Sequence, residues 1–430
     1  MQKPMYLSYD IKGIQRFIFS VPKLKALIGG SELISSFDRD SRAAADKVAA
    51  QPVFAAGGRG AFLCPDLAAA RQLEHTLVAT AHQVGLDLRC GIKPSLSEAA
   101  LKADRLYPFT PADLAGEPCA WSGLWPVAAA IRDGIHPLVR RRAQAARKDS
   151  LGKSLIADLK NSGLIPEVLS PYDLQFFRSV NADPDADDDA DAARAEAEAA
   201  SFALGGRNRW AIVAMDGNDM GRQFLATRQW SEDRQQQWLT RMSAGLTHCT
   251  RESVLRGLGA ALSLWTQEGS WAAQGLPEGR VILPFRPLVI GGDDITLLCH
   301  AGLALPLVQE ISHHFRARSQ ELAETEKKNG IELWPATSGA LSISAGILFC
   351  KTTFPLHIAI PYAESLLASA KGRYRNAGSS GPAPAAVDWD AVTDTMLDTP
   401  AARRNRELRF IDLEIDREIQ LTDRPFSMDE

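Results

Sequence analysis

The chain has 430 residues, 45% hydrophobic and 23% charged, with a formal net charge of -4. That length exceeds one ordinary core, so two or three domains are expected. The mild acidity excludes a polycation built to coat nucleic acid, though a local basic face is still allowed, and no apolar run approaches the roughly 20 residues that span a bilayer.

The N-terminus opens on a folded-looking segment and not on a signal peptide, which predicts a cytoplasmic protein. A strand-like run, Tyr6 to Tyr9, precedes Asp10-Ile11-Lys12-Gly13, and Ile14, Phe17, Ile18 and Val21 follow at helical spacing. A second helix is predicted from Gly30-Ser31 through Leu33, Ile34 and Phe37. Gly57-Gly58-Arg59-Gly60 reads as a turn into the strand Ala61 to Cys64, Leu67 to Gln83 as a helix, and Leu86 to Lys93 as a strand. This alternation describes a small α/β or α+β unit over 1–120. Residues 121–200 read as a helical segment and an acidic linker. The helical part carries a basic stretch, Arg140, Arg141, Arg142, Arg147, Lys148 and Lys153. It can meet RNA phosphates or an acidic partner, or simply be a solvated helix. The part from Asn181 to Ala200 is almost entirely Ala, Asp and Glu, too poor in apolar residues to build a core.

The domain predicted for 201–430 opens on the strand Trp210 to Met215, followed by a helix over Gln235 to Leu264. The strand Leu288 to Ile290 leads into an acidic turn and a returning strand, Ile295 to Leu298. A helix over Leu305 to Lys328, a strand over Leu341 to Leu348 and a helix over Pro361 to Gly372 complete it, and Gly378 to Pro384 is a surface loop. The order β-α-β-β-α-β is that of a ferredoxin-like sheet with helices on one face.

Chemistry concentrates in Gly291-Gly292-Asp293-Asp294, two carboxylates on a tight turn at the end of a buried strand. Asp216 ends a second apolar run, so carboxylates from separate strands can meet. Such oxygen donors suit Mg²⁺ or Mn²⁺, and a pair of those ions can activate a hydroxyl and stabilise departing pyrophosphate. The arrangement predicts nucleotidyl transfer at Asp216, Asp293 and Asp294, with Gly291 and Gly292 leaving space for a nucleotide. Gly217, Asn218 and Gly221 form the other half of the site, where backbone N–H groups at a helix start can face phosphate. Asp219 reads either as a helix cap or as a further metal ligand. Lys371 reads either as a triphosphate contact or as a lysine favoured by the helix dipole, and Arg373 and Arg375 as surface residues. His313 and His314 point about 100° apart on a helix and make a poor metal pair. The six cysteines are widely spaced with no CxxC pair and read as buried or incidental thiols.

Taken together, these motifs resemble the large polymerase-like subunit of type III CRISPR effector complexes, a relative of nucleotide cyclases that makes cyclic oligoadenylates from ATP. Asp10 to Phe19, with Leu24 to Leu33, resembles the opening of the family's first palm, and Gly57 to Leu63 its glycine-rich hairpin. Asp216 to Gly221 resembles the first metal motif of the second palm, and Gly291 to Asp294 the family's GGDD signature. Ser344 to Ile347, with Ala370-Lys371, resembles the later strand and the phosphate-contacting lysine, and Leu421 to Phe426 the closing segment. The fold implied is α+β, two ferredoxin-like palm domains of the nucleotide cyclase/polymerase type with helical insertions. The resemblance makes Asp216, Asp293 and Asp294 the metal-binding carboxylates and ATP the substrate, with Gly29, Gly30 and Ser31 lining the acceptor side and two ATP molecules held between the palms. It implies antiviral defence, with CRISPR effector subunits and guide or target RNA as partners.

The departures from the family are a missing N-terminal histidine-aspartate nuclease domain, a missing C-terminal helical domain and no zinc-type cysteine cluster. Asn218 also stands where many relatives carry an acid. The chain reads as a reduced form, natural or trimmed, for which a homodimer is a further expectation. A second reading stays open, that of a non-catalytic nucleotide-binding scaffold in an RNA-guided interference complex.

Overall fold

A computed structural model describes residues 3–428 apart from 22, 106–116, 119–125, 128–135, 179–189, 205–208, 268, 275–278, 338, 375–382, 394–397 and 413–416. Cys119, Arg375, the first part of the acidic stretch and most of the Gly378 to Pro384 loop lie outside the described residues. The chain divides into two units, Met1–Ser150 with Thr227–Leu246, and Leu151–Ala226 with Thr247–Glu430.

The first unit runs β1 (Met5–Ile11), α1 (Ile14–Phe19), α2 (Leu24–Asp46), β2 (Gln51–Ala56), β3 (Arg59–Cys64), α3 (Leu67–Val84), β4 (Leu88–Lys93) and α4 (Leu96–Arg105). Its sheet has the order β2-β3-β1-β4 with every pair antiparallel, the ferredoxin-like arrangement. β1 sits centrally and is buried on both faces, which suits its Tyr6, Leu7, Tyr9 and Ile11, with Ser8 and Asp10 as buried polar residues. Asp66 caps α3 by accepting from the Ala69 N–H, and Gly85 ends it in the left-handed region.

α2 starts six residues before its predicted start, so Gly29 and Gly30 lie inside it. Close packing explains glycine there. A Cβ on Gly29 would stand 1.7 Å from the Arg142 carbonyl oxygen, on the helix α5 (Pro137–Ala145). Arg142 itself is fully buried, 3.7 Å over the Phe17 ring, and donates to the Phe17 carbonyl at 2.5 Å and to Ser20 Oγ at 3.0 Å. One cation of the basic stretch thus serves packing, while Arg140, Arg141, Arg147, Lys148 and Lys153 are exposed.

The β2–β3 turn is held by a half-buried carboxylate. Asp38 accepts from the Gly58 N–H at 3.2 Å and from the Tyr9 hydroxyl at 3.0 Å. Gly60 is glycine because a Cβ would lie 2.3 Å from the Tyr9 ring. Burial pushes the Asp38 carboxyl up to about 6, against the opposing pull of those donors and of Arg42. The folded state therefore holds this proton more tightly than the unfolded chain, whose Asp titrates near about 3.9. The contribution is fully present below that value and lost as pH rises through about 6, amounting to about 3 kcal/mol. Asp38→Asn, which keeps an accepting oxygen, is expected to flatten the stability profile of the first unit between pH 4 and 7. An unchanged profile by denaturant titration would remove Asp38 as its origin.

The second unit is built on β5 (Arg209–Gly217), the helix α6 (Glu232–Gln267, from Thr247 onward in this unit), β6 (Phe285–Gly291), β7 (Asp294–His300), α7 (Ala304–Lys328), β8 (Ile343–Lys351), α8 (Leu356–Tyr374), β9 (Ala386–Ala391), α9 (Pro400–Glu407) and β10 (Phe426–Ser427). Its sheet order is β6-β7-β5-β8-β9-β10. The first four strands repeat the order of the first unit and are antiparallel, whereas β9 joins β8 in parallel. The fold is thus α+β with two ferredoxin-like sheets. Gly346 on β8 lets α8 lie directly on the sheet, since a Cβ there would be 2.2 Å from the Ala363 carbonyl oxygen. Among the described residues no helix is long and apolar enough to cross a membrane, and the five described cysteines are free and buried.

Candidate active site

Trp210 to Met215 are all buried in the middle of the sheet, and Asp216 is where β5 emerges from the core. Ile295 pairs with Met215, so the acidic turn between β6 and β7 arrives beside Asp216. Gly292 turns the hairpin in the left-handed region (φ 61°), a conformation costly for residues with a Cβ. Thr250 on α6 donates to the Gly292 carbonyl at 2.5 Å and pins the turn from behind. The absence of a side chain at Gly217 makes room for Asp293, since a Cβ there would lie 2.9 Å from Asp293 Cβ and 3.0 Å from its Oδ2.

Lys371, in the last turn of α8, donates to Asp216 Oδ2 and to the Gly217 carbonyl at 2.8 Å. Its ammonium pairs with Asp216, and its charge also draws the Asp293 and Asp294 carboxyls downward. Burial pushes the Asp293 carboxyl well above the ordinary range, and the charge of Asp216 and hydrogen bonding to it add to that rise. Burial and then the charges of Asp216 and Asp293 raise Asp294 in the same direction. Asp294 is exposed at its surface, where the neighbouring like charges still act on it.

Among the described residues, three carboxylates face the one ammonium of Lys371, a shortfall of about two positive charges that fits divalent cations by charge and by donor type. As the side chains stand, no three carboxylate, imidazole or thiol groups among the described residues form a closed metal-holding set.

The neighbouring loop is held by hydrogen bonds that periodicity could not reveal. Asn218 Nδ2 donates to Ser342 Oγ at 2.8 Å and Ser344 Oγ at 3.0 Å, and the Asn218 N–H donates to the Ser342 carbonyl at 2.9 Å. Ser344 Oγ also accepts from the Ala386 N–H at 3.1 Å. The only sequence signal for these serines is their period-2 placement beside Gly346 in a buried strand. Asp219, at φ 62°, accepts from the Ala383 N–H at 3.0 Å and pairs with Arg222 at 3.3 Å, while its carbonyl accepts from the Arg222 N–H. Gly221 lies in the seven-residue helix Met220–Ala226 with open space where a Cβ would point. Asn218→Asp would lose the amide donors and bury another negative charge near the cluster. We expect it to cost about 2 kcal/mol of stability, read by thermal unfolding, with a larger loss at pH 8 than at pH 5. An equally stable variant would refute the account of Asn218.

The other sequence-predicted positions fall elsewhere. Gly30 is buried with the Ile18 Cα 3.3 Å from where its Cβ would be, and Ser31 is half-buried; both belong to α2 of the first unit. His313 is exposed, and His314 stands 3.4 Å from Glu310. The first unit also holds a counterpart that the sequence did not disclose. Asp10 near the end of β1 pairs with Arg59 across the sheet, where the second unit brings Asp294 beside Asp216. Arg59 Nε lies 3.1 Å from Asp10 Oδ1, and Lys12 Nζ 2.5 Å from Oδ2. The carboxylate is matched by internal cations there, in contrast to the cation-poor cluster of the second unit.

Residues 209–378 match the family model for the Cas10/Cmr2 second palm domain. No curated protein matches the chain. Among solved structures, a Csm1–Csm4 cassette in complex with cA4 is similar at 12% identity, covering 86% of this chain and 53% of that chain with a TM-score of 0.43. The apo cassette is similar at 13% identity over 86% and 53%, with a TM-score of 0.44. The cassette with one ATP has 12% identity, the same coverage of 86% and 53%, and a TM-score of 0.43. The chain spans about half the length of the solved structures it matches.

Proposed function

We propose that this chain, whose residues 209–378 are a palm domain of the Cas10/Cmr2 second-palm type, is a nucleotidyltransferase that joins ATP into cyclic oligoadenylate for type III CRISPR defence. The observation that carries the reading is the meeting of Asp216, Asp293 and Asp294 from adjacent strands with, among the described residues, one compensating ammonium, Lys371. Those three aspartates would hold Mg²⁺ or Mn²⁺. When bound, such cations supply charge stabilisation at the α-phosphorus and acidify the attacking 3′-hydroxyl.

The chain's own contribution is positional. The Thr250 bond to Gly292 fixes the acidic turn, and the Asn218 bonds to Ser342 and Ser344 fix the loop after β5. Lys371 neutralises Asp216 in the resting site, and once released its ammonium is placed to meet a phosphate oxygen. We further propose effector-complex subunits and target RNA as partners that control the activity.

The test is mass spectrometry of products from ATP with Mg²⁺ or Mn²⁺, beside an Asp293→Ala/Asp294→Ala control, first with the protein alone and then with its native complex and target RNA. Oligoadenylate that disappears in the control supports the synthetase. Silence under both conditions overturns it and leaves the nucleotide-binding scaffold.

A further inference from the structure

At the edge of the second unit, the C-terminal segment forms a cavity of about 590 Å³ with the last turns of α8. This is the size range of small-ligand sites. Its wall combines an aromatic face, Phe426, with two guanidinium groups, Arg373 and Arg424, and two neutral polar groups, Ser369 and Gln420. Phe426 is 44% exposed although its backbone pairs with Val387 in the sheet, so the ring is displayed and not packed away.

The arginines are set in place. Arg373 Nη1 donates to the Asp423 carbonyl at 2.8 Å and to the Pro425 carbonyl. Arg424 stacks 4.3 Å over Trp389, its Nε donates to Thr422 Oγ1 at 2.9 Å, and its Nη1 donates to the Trp389 carbonyl. Arg404 donates to Ser369 Oγ at 3.4 Å, and burial, with the charge of Arg404, lowers the Arg424 pKa. Asp388 pairs with Arg404, Asp390 lies 3.9 Å from Arg424, and the exposed Asp423 opposes an anion at the rim. A displayed ring, preset guanidinium groups and a neutral amide and hydroxyl are the elements that bind single-stranded nucleotides, by stacking plus phosphate contact.

We propose that this cavity is a nucleotide subsite, taking a base on Phe426 with its phosphate on Arg373. Lys371 precedes Arg373 by two residues on the same helix, so the subsite shares an element with the acidic cluster. The inference does not rest on the synthetase reading, and its test excludes metal chemistry.

Fluorescence anisotropy with labelled linear tetra-adenylate and calorimetry with ATP, both in EDTA, would measure binding to the whole chain and to Asp293→Asn/Asp294→Asn. Tetra-adenylate is expected to bind both proteins alike, and to bind Phe426→Ala and Arg373→Ala each about tenfold more weakly. Arg373→Ala also removes the contacts to the Asp423 and Pro425 carbonyls. Phe426→Ala trims an exposed ring without touching them and so decides the matter if the first variant is misfolded. Parallel weakening for ATP identifies a mononucleotide phosphate as sufficient, whereas weakening for tetra-adenylate alone identifies a chain phosphodiester; both support the subsite. Affinities for both ligands unchanged in Phe426→Ala, or no binding by the parent chain, would overturn it.

Discussion

Asp293→Asn/Asp294→Asn is expected to lower oligoadenylate formation by about 1000-fold or more while raising the thermal stability of the metal-free protein. The activity loss follows from removing the donors for charge stabilisation worth several kcal/mol, at about 1.4 kcal/mol per factor of ten. The stability gain follows from the same crowding. Burial and like charge hold both carboxyls above their ordinary range, so the folded state binds these protons more tightly than the unfolded chain does. Their favourable contribution is present at low pH and lost as pH rises through the raised values. The variant's advantage in unfolding temperature should therefore be larger at pH 8 than at pH 5. Mn²⁺ should stabilise the parent chain and not the variant, with proton release on binding. Synthesis that survives in the variant would sink the assignment of the site. A variant less stable than the parent at pH 8 would sink the electrostatic account even if activity is lost.

Gly346→Ala carries the second large effect. The added Cβ would meet the Ala363 carbonyl oxygen at 2.2 Å and the Leu367 N–H nitrogen at 2.3 Å, both backbone atoms of α8. Neither can rotate away as a side-chain end would, so α8 must lift from β8. We expect about 3 kcal/mol of destabilisation in the second unit, and a displaced Lys371, since the same helix delivers it to Asp216. Gly372→Ala on that helix has open space around the new methyl and should be neutral or stabilising by about 1 kcal/mol. Denaturant titration of the pair checks the packing argument, which fails if Gly346→Ala stays within about 1 kcal/mol of the parent.

Much of this molecule was legible in local pattern. Apolar runs ending in acids located β5 and the β6–β7 hairpin, because a strand packed into the core must be apolar and its end is where a polar group can surface. Helical spacing located α3 and α7 to within a residue or two. The strand Ala386–Ala391 was missed: its DWD sequence looks polar, yet Asp388 is buried against Arg404 sixteen residues on. α2 and α8 start six and five residues before their predicted starts at Gly30 and Pro361. In the fold, Gly29 is spacing for a crossing helix and Pro361 lies within the helix.

The sequence by itself determined which residue types are available for metal chemistry and at which strand ends they emerge, since period and composition act over a few neighbours. Only the tertiary structure decided how they are partnered. It set Lys371 on Asp216 across 155 positions of sequence, spent the Asn218 amide on Ser342 and Ser344, and gave Asp10 the cations that the second unit's cluster lacks. Charge balance at a site depends on through-space distance and burial, and sheet register brings those groups together from far apart in the chain.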